Sequence, residues 1–560
     1  MNKRFSLSNI LHYSTFAVLT IFLGIFLLLP IYLVIKEGLH WSLITEIFKN
    51  PVTFEGLINS LKIAILTTFF TILLSFPFAL LFNKYDFKGK KAVSFFMLLP
   101  MILPPFVGAL GIQQFLGHYG VVNTILRNCG MEPIAFFDGS NKLLAVALIE
   151  SLHLFPILYL NLVASLNSVD PSMEEASHLL GAGKIKTFFK ITLPLVKNGL
   201  FAGCSIILIW SFTELGTPLM FGFTRTTPVQ IFNGINEIES NPLPYAMVAV
   251  MLFFSTILYM IAKKMLRTNN AAAAKGSRQS GAFKLKGFKS YLPFSAFLLL
   301  ALVSLLPHVM LLCCAFSQEY YQTILPRVFT LIHFEEALSN PMVIPSIVNS
   351  LRYALLATVI AVILGLAGAL IQHKWRLKGG VLADILCMLP LSVPGIVIAF
   401  GYIGMATKLD WARNFFNPTG NPLLLLGVAY AIRRIPYVIR SASSGLQQTP
   451  DDLEFAARNL GASEKKAFFK ITMPIIGAHL LIGGLFAFSF SMLEVSDSLI
   501  LAQKSAYYPI TKALFELSQF LGNGPAIACA FGVWTMLFLG ATLYLASTLA
   551  GKKSTDVFKF

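Results

Sequence analysis

Charge is what this sequence has least of. Only 12% of its 560 residues are Asp, Glu, Lys or Arg, against 56% that are hydrophobic, and the mean hydropathy is +0.73. A water-soluble fold cannot hide that much apolar surface, so a soluble enzyme or soluble binding domain is excluded. Cysteine is scarce too: six residues, with no CxxC pair, which argues against a disulfide framework and a zinc site. Cys204, Cys313, Cys314, Cys387 and Cys529 fall in apolar runs, where Cys acts as a small hydrophobe, and Cys129 stands alone in a loop. A phosphate-binding loop is missing. The nearest phrase, "GAGKIK" from Gly181, has no upstream Gly at the required spacing and no Ser or Thr after its Lys. There is no nucleophile triad, no acid/base dyad and no flavin or nicotinamide fingerprint. The chain is expected to do no covalent chemistry, to bind no cofactor of its own, and to hold no metal at a site that the residues assign.

What is present is a series of apolar runs long enough to cross a bilayer as helices. Twelve are read, at roughly 15–36, 59–82, 92–116, 142–166, 196–221, 245–266, 291–316, 347–372, 381–406, 421–446, 475–501 and 523–550. The predicted class is an all-α polytopic membrane protein. The excess of 43 Lys and Arg over 26 Asp and Glu suggests nucleic acid at first sight, but its distribution does not. The bases gather in alternate loops: Lys84, Lys88, Lys90 and Lys91; Lys184, Lys186 and Lys190; Lys465, Lys466 and Lys470; and the long central loop. That is the signature of cytoplasmic loops, and it predicts both termini in the cytoplasm. The first run is too long for a cleaved signal peptide and reads as a signal anchor.

The runs fall into two sets of six. "NSLKIAILTTFF" at Asn59 resembles "NSLRYALLATVI" at Asn349, and Pro100 and Pro104 match Pro390 and Pro394 at an offset of 290. Beyond the third run the offset is 280: Pro156 matches Pro436, Gly181 matches Gly461, and Glu214 matches Glu494. The extra ten residues belong to the loop after the third run of the first half. Six is even, so the two units share one orientation and form a parallel repeat. The expected division is a first repeat at 1–266, a cytoplasmic linker at 267–290 and a second repeat at 291–560.

The closest internal match lies between the fourth and fifth runs of each half. "MEEASHLLGAGKIKTFFKITLP" starts at Met173 and "LEFAARNLGASEKKAFFKITMP" at Leu453. Met173, Ala176 and Leu180 share one helical face, as do Leu453, Ala456 and Leu460. Glu174, Glu175, Asp451, Asp452 and Glu454 favour the helix N-terminus, and Gly181 and Gly461 suit C-terminal caps. Amphipathic helices lying on the membrane surface account for the pattern, but not for two copies of "FFKIT" in loops that otherwise differ. A partner met twice accounts for both.

These loops resemble the EAA loops of bacterial ATP-binding-cassette (ABC) importer permeases, in which Glu-Ala-Ala, three residues, Gly, nine residues, Ile, one residue and Leu-Pro follow in order. The resemblance assigns Glu175, Ala176, Gly181, Ile191 and Pro194 to the first loop, with Glu174 beside them. In the second it assigns Ala456, Ala457, Gly461, Ile471 and Pro474, with Glu454 standing one place before Phe455 where the motif has Glu. It implies a type I importer permease fold in the inner membrane, two copies of a separate ATP-binding subunit that carries ATP and Mg²⁺, and an external substrate-binding protein. "TELGTPLMFG" at Thr213 and the stretch from Tyr430 resemble the iron(III), thiamine and aminoalkylphosphonate group of these permeases. Iron(III) is the leading solute, with 2-aminoethylphosphonate, thiamine or a polyamine as alternatives. A secondary transporter of the major facilitator class also has twelve spans, but the only phrase favouring it, "DFKGKK" at Asp86, lacks the Arg of that class's loop.

A few ionisable residues fall within apolar runs, where they face protein or water. Glu214, Glu494 and Asp497 are read as candidate acids of a cation pathway, or as interface residues that see water or pair with Arg or Lys. Of Arg433 and Arg434, mid-run, at least one is expected to pair with an acid or a helix C-terminus; an anion-binding role is the alternative. Glu150 and His153 share a face at i,i+3 and are read as a hydrogen-bonded pair in preference to a metal pair.

Overall fold

The computed structural model describes residues 7–101, 105–237, 240–267, 283–450 and 452–549. The expected linker and both expected cytoplasmic termini fall largely outside them, as does Asp451.

Among the described residues, nine helices are long and apolar enough to cross a membrane, and two bent pairs bring the number to eleven. A further helix, Leu423–Gln447, has the length but carries Arg433, Arg434 and Arg440. It occupies the place of the tenth expected run. Three of the twelve expected runs are broken. The run at 92–116 is two helices, Ala92–Met101 and Phe106–Asn128, bent by 94°, and the run at 381–406 is Gly380–Leu391 and Gly395–Lys408, bent by 103°. The cause is proline. Pro100 and Pro390 sit in matching 3₁₀ turns, and Pro394 precedes its helix with φ −57° and ψ 142°, outside helical space. Proline removes a helical donor, and it pushes the residue before it out of helical space. The run at 291–316 divides at Leu305 into Tyr291–Ser304 and Leu306–Phe316, the second opening on Pro307.

Each half is built around three mutually packed helices. In the first they are Pro51–Lys84, Gly139–Leu166 and Leu193–Phe212; in the second, Val343–Ala369, Leu423–Gln447 and Met473–Met492. The repeated "NSL" phrase locks each set to the segment that follows it. Ser60 Oγ accepts from Thr227 N at 2.9 Å and Ser350 Oγ from Ile510 N at 2.7 Å, each at the first residue of a helix whose leading N–H groups have no partner within it. Asn59 and Asn349 donate to carbonyls of the same two segments, Arg225 O and Ala506 O, both at 2.9 Å.

The halves embrace one another. Leu29–Gly38, of the first span, packs on Gly395–Lys408 of the second half, and Leu306–Phe316 packs on Pro105–Leu116 of the first. A glycine makes each contact possible. A Cβ at Gly401 would sit 2.5 Å from Pro30 Cβ, and one at the matching Gly111 would sit 2.2 Å from the Pro307 carbonyl oxygen. Small residues at a helix crossing let backbones approach in a membrane, where packing drives association. Because Gly395–Lys408 lies between the halves, its residues Ile396 to Phe400 are all buried. The only strands among the described residues, Tyr85–Asp86 and Phe283–Lys284, pair in parallel and tie a loop of the first half to the chain entering the second.

Candidate functional site

Two regions gather the residues singled out by sequence: the repeated loops and a cavity at the seam of the halves.

Each repeated loop is a short helix, a left-handed glycine, a second short helix and a wide turn. The first helix is Pro171–Leu179, capped by Asp170, whose Oδ1 accepts from Ser172 N at 2.9 Å. That bond stabilises the ionised carboxylate and holds Asp170 below its usual pKa. Its counterpart is Asp452–Asn459. Gly181 and Gly461 follow with φ of +81° and +89°. Ala182 N bonds Ser177 O and Gly181 N bonds His178 O, each at 3.0 Å; Ala462 to Ala457 and Gly461 to Arg458 repeat the pattern at the same distance. This is the double bond of a Schellman cap. A Cβ at either glycine would touch nothing within 4 Å, so backbone angle alone calls for glycine.

"FFKIT" is a π turn in both halves, Phe188–Thr192 and Phe468–Thr472, closed by Leu193 N to Phe188 O and by Met473 N to Phe468 O. Pro194 and Pro474 come next, and their rings would crowd the carbonyl four residues back in an α-helix. Widening the helix by one residue relieves that clash, and π turns of this kind recur at functional sites. The Thr of each phrase points inward. Thr192 donates to Glu174, and Thr472 donates to Glu454, which also receives Lys374 Nζ. The inward acid is thus Glu174 or Glu454. Glu175, the motif position, is exposed, as is Phe455 in its place in the second loop. Ala176, Ala456, Pro194 and Pro474 are also exposed, while Ala457, Ile191 and Ile471 are half-buried. Leu179, Leu180 and Leu460 are 89%, 89% and 90% exposed, with Ile185, Phe189 and Phe469 beside them on the surface. Sequence reading missed Lys374, and it missed Thr192 and Thr472, although their repetition inside the copied phrase was a signal.

The cavity, of about 200 Å³, lies between the halves. Its first-half wall carries Glu150, His153, Ser211 and Glu214; its second-half wall carries Arg433, Arg434, Tyr437 and Glu494. Glu214 and Glu494 stand in matching breaks, after the helices that end at Phe212 and Met492 and before Gly216–Met220 and Ser496–Leu501. From there their environments part. Glu494 is ion-paired with both Arg433 and Arg434, and Arg434 also donates to Phe490 O at 2.8 Å. Fully buried Asp497 lies 3.7 Å from Arg433. Glu494 and Asp497 thus sit buried against the two arginines. Among the described ion pairs Glu214 has none; its Oε1 accepts from Thr217 N at 3.4 Å.

The reading of Glu150 and His153 as a mutual pair is corrected. Glu150 Oε2 accepts from Ser211 and from Thr67, the latter at 3.3 Å, while His153 Nδ1 meets Pro100 O at 2.9 Å. The proline bend of the third span brings that carbonyl within reach of His153, which no local sequence pattern could have indicated.

The family described as "binding-protein-dependent transport system inner membrane component" matches this chain twice, over residues 71–269 and 361–547. The ferric transport system permease protein FbpB of Actinobacillus pleuropneumoniae is 25% identical over 472 residues, covering 81% of this chain; the match spans 64% of that relative's length. A putative ferric transport permease, FbpB 1 of Haemophilus influenzae, is 26% identical over 455 residues, covering 77% of this chain and 68% of that protein. The spermidine/putrescine permease PotB of Haemophilus influenzae is 30% identical over 167 residues, 30% of this chain and 57% of that one.

Proposed function

Because the chain belongs to the family of binding-protein-dependent transport system inner membrane components, we propose that it forms the translocation pathway of an ABC importer. It works in the bacterial inner membrane, with the repeated loops and both termini on the cytoplasmic side. The observation that carries this reading is the pair of loops. Each presents a short helix with the same glycine C-cap, the same π turn and an exposed group of leucine and phenylalanine side chains. Apolar side chains so exposed suit a partner surface. Each loop docks one copy of a separate ATP-binding subunit, which holds ATP and Mg²⁺; this chain binds no cofactor. The docking residues are Glu174, Glu175, Ala176, Gly181, Ile191 and Pro194, then Glu454, Ala456, Ala457, Gly461, Ile471 and Pro474. An external substrate-binding protein delivers the solute. Residues 1–266 and 291–560 act as the two rocking units, joined by 267–290.

The transported solute is iron(III). The two ferric transport relatives, each aligned over more than three quarters of this chain, support it. A polyamine is the second reading, supported by the spermidine/putrescine relative, with thiamine and 2-aminoethylphosphonate behind it. The cavity is the pathway, with Glu214 on its first-half wall, Arg433, Arg434 and Glu494 on its second-half wall, and Asp497 buried behind Arg433. Reconstitution in liposomes tests the whole. Uptake of ⁵⁵Fe(III) is expected only with the binding protein outside and the ATP-binding subunit with ATP on the loop side. Accumulation driven by an ion gradient, with this chain alone, would replace the reading with a secondary transporter.

A further inference from the structure

The two walls of the cavity differ in a way that the repeat makes measurable. In the second half, Glu494 and Asp497 are matched by Arg433 and Arg434. At an offset of 280, the first half has His153 and Leu154 where those arginines stand, and Glu150 where the second half has Tyr430. Thr217 stands where the second half has Asp497, so each half has two acids here, Glu150 and Glu214 in the first, but the first has neither base. Glu150, which lines the cavity, is 1% exposed; its Oε2 is held by Ser211 and Thr67, while its buried Oε1 has no hydrogen-bond partner among the described residues. A buried carboxylate oxygen left unpaired is costly unless something else meets it. The lining as a whole holds three carboxylates and two guanidiniums, and both guanidiniums are already engaged by Glu494. Among the described ion pairs neither Glu150 nor Glu214 has a partner, so the first-half wall offers a cation two carboxyl groups.

We propose that the first-half wall of the cavity is a binding site for a multiply charged cation, held by Glu150 and Glu214. This goes beyond the importer reading and rests on it only in treating the bound cation as cargo. Among the described residues, no three His, Cys, Asp or Glu side chains converge as they would on a bare metal ion. The cation is therefore met through its hydration shell or through amine N–H groups. A cavity of about 200 Å³ leaves room for several waters around it. Hydrated metal ions and polyamines share this chemistry, and the test separates them.

The full chain, purified in nanodiscs of phosphatidylcholine and phosphatidylglycerol, is dialysed to equilibrium against Mn²⁺, spermidine or molybdate. One saturable Mn²⁺ or spermidine site per chain is expected, and no molybdate site. Mn²⁺ alone identifies a metal site, and spermidine alone an amine site. Glu150→Gln and Glu214→Gln, close in size to the originals, should each weaken binding about tenfold, while Glu150→Asp, which keeps the charge, retains most of it. Absence of saturable cation binding, unchanged affinity in both Gln variants, or molybdate bound instead would each overturn the proposal. A chain that binds the cation yet supports no ATP-driven uptake would sink the importer reading and leave the site standing. ATP-driven uptake without cation binding would do the reverse.

Discussion

At two matching places the second half of this chain answers an acid with bases, and the first half does not. Glu494 is clamped by two arginines, and Glu454 in the second loop by Lys374. Their first-half counterparts have no ion-pair partner among the described residues; Glu214 accepts from backbone amides and Glu174 from Thr192. One backbone plan, used twice, thus carries a rigid charged network on one side and unpaired carboxylates on the other. Buried ion pairs resist removal of a single partner, because the survivor is left charged and unmatched. Unpaired acids at a cavity are free to meet something that comes and goes.

The sharpest break in that comparison is expected at Arg434. Arg434→Met leaves Glu494 with half its support and should cost about 3–5 kcal/mol of stability. Leu154→Met, at the matching position, should cost under about 1.5 kcal/mol, as volume-conserving apolar exchanges do. Thermal unfolding of the two variants in detergent measures the gap, and adding Glu494→Gln to Arg434→Met should recover part of the loss. Equal shifts for Arg434→Met and Leu154→Met would show that the ion pair does not brace the second half.

Lys374 offers the next largest contrast. It closes Leu370–Lys374, a π turn that ends the eighth span, whereas its first-half counterpart Lys84 ends an unbroken α-helix and is exposed. Lys374→Met should lower ATP-driven uptake about tenfold, a loss of roughly 1.4 kcal/mol in coupling, and Lys84→Met less than about twofold. Parallel transport assays with the same ATP-binding subunit decide it.

A case where the halves should agree sharpens the rule. Gly181→Ala and Gly461→Ala each force a side chain into left-handed backbone with nothing to clash against, a strain of about 1 kcal/mol. Both loops should loosen equally, read as faster hydrogen exchange at 171–179 and 452–459. The smallest effect is specific to the first loop. Asp170, replaced by Pro450 in the second half, caps its helix as a carboxylate held below its ordinary pKa. A lowered carboxylate pKa contributes stability above the unfolded value and loses it as pH falls through the folded one. Acid should therefore fray Pro171–Leu179 progressively below the ordinary carboxylate range. Asp170→Asn should leave much less of that dependence, which exchange measured across pH can follow.

Much of the fold was legible because its signals are local. Apolar length marked the spans, and the offsets of 290 and 280 marked the repeat. The small-residue positions Gly181 and Gly461 marked the turns. The prolines Pro100 and Pro390 were noted but the bends were not read, because mean apolarity does not register a change of direction. Glu175 was assigned by spacing, whereas Glu174 faces inward; which of two adjacent acids turns in depends on the phase of a helix against Thr192, 18 residues away.

By itself, the sequence determined that the chain crosses a membrane as helices, that it does so as two parallel units, and that each unit carries the same capped loop. Those properties follow from hydrophobicity, chain length and backbone angle, all of which act within a few residues or by simple count. Only the tertiary structure decided which acids are paired. Arg433 and Glu494 are 61 residues apart, and Glu150 and Ser211 are also 61 apart. One separation thus serves an ion pair in one half and a hydroxyl contact in the other. Electrostatic partnership is a matter of distance and burial in space, and helix packing sets both.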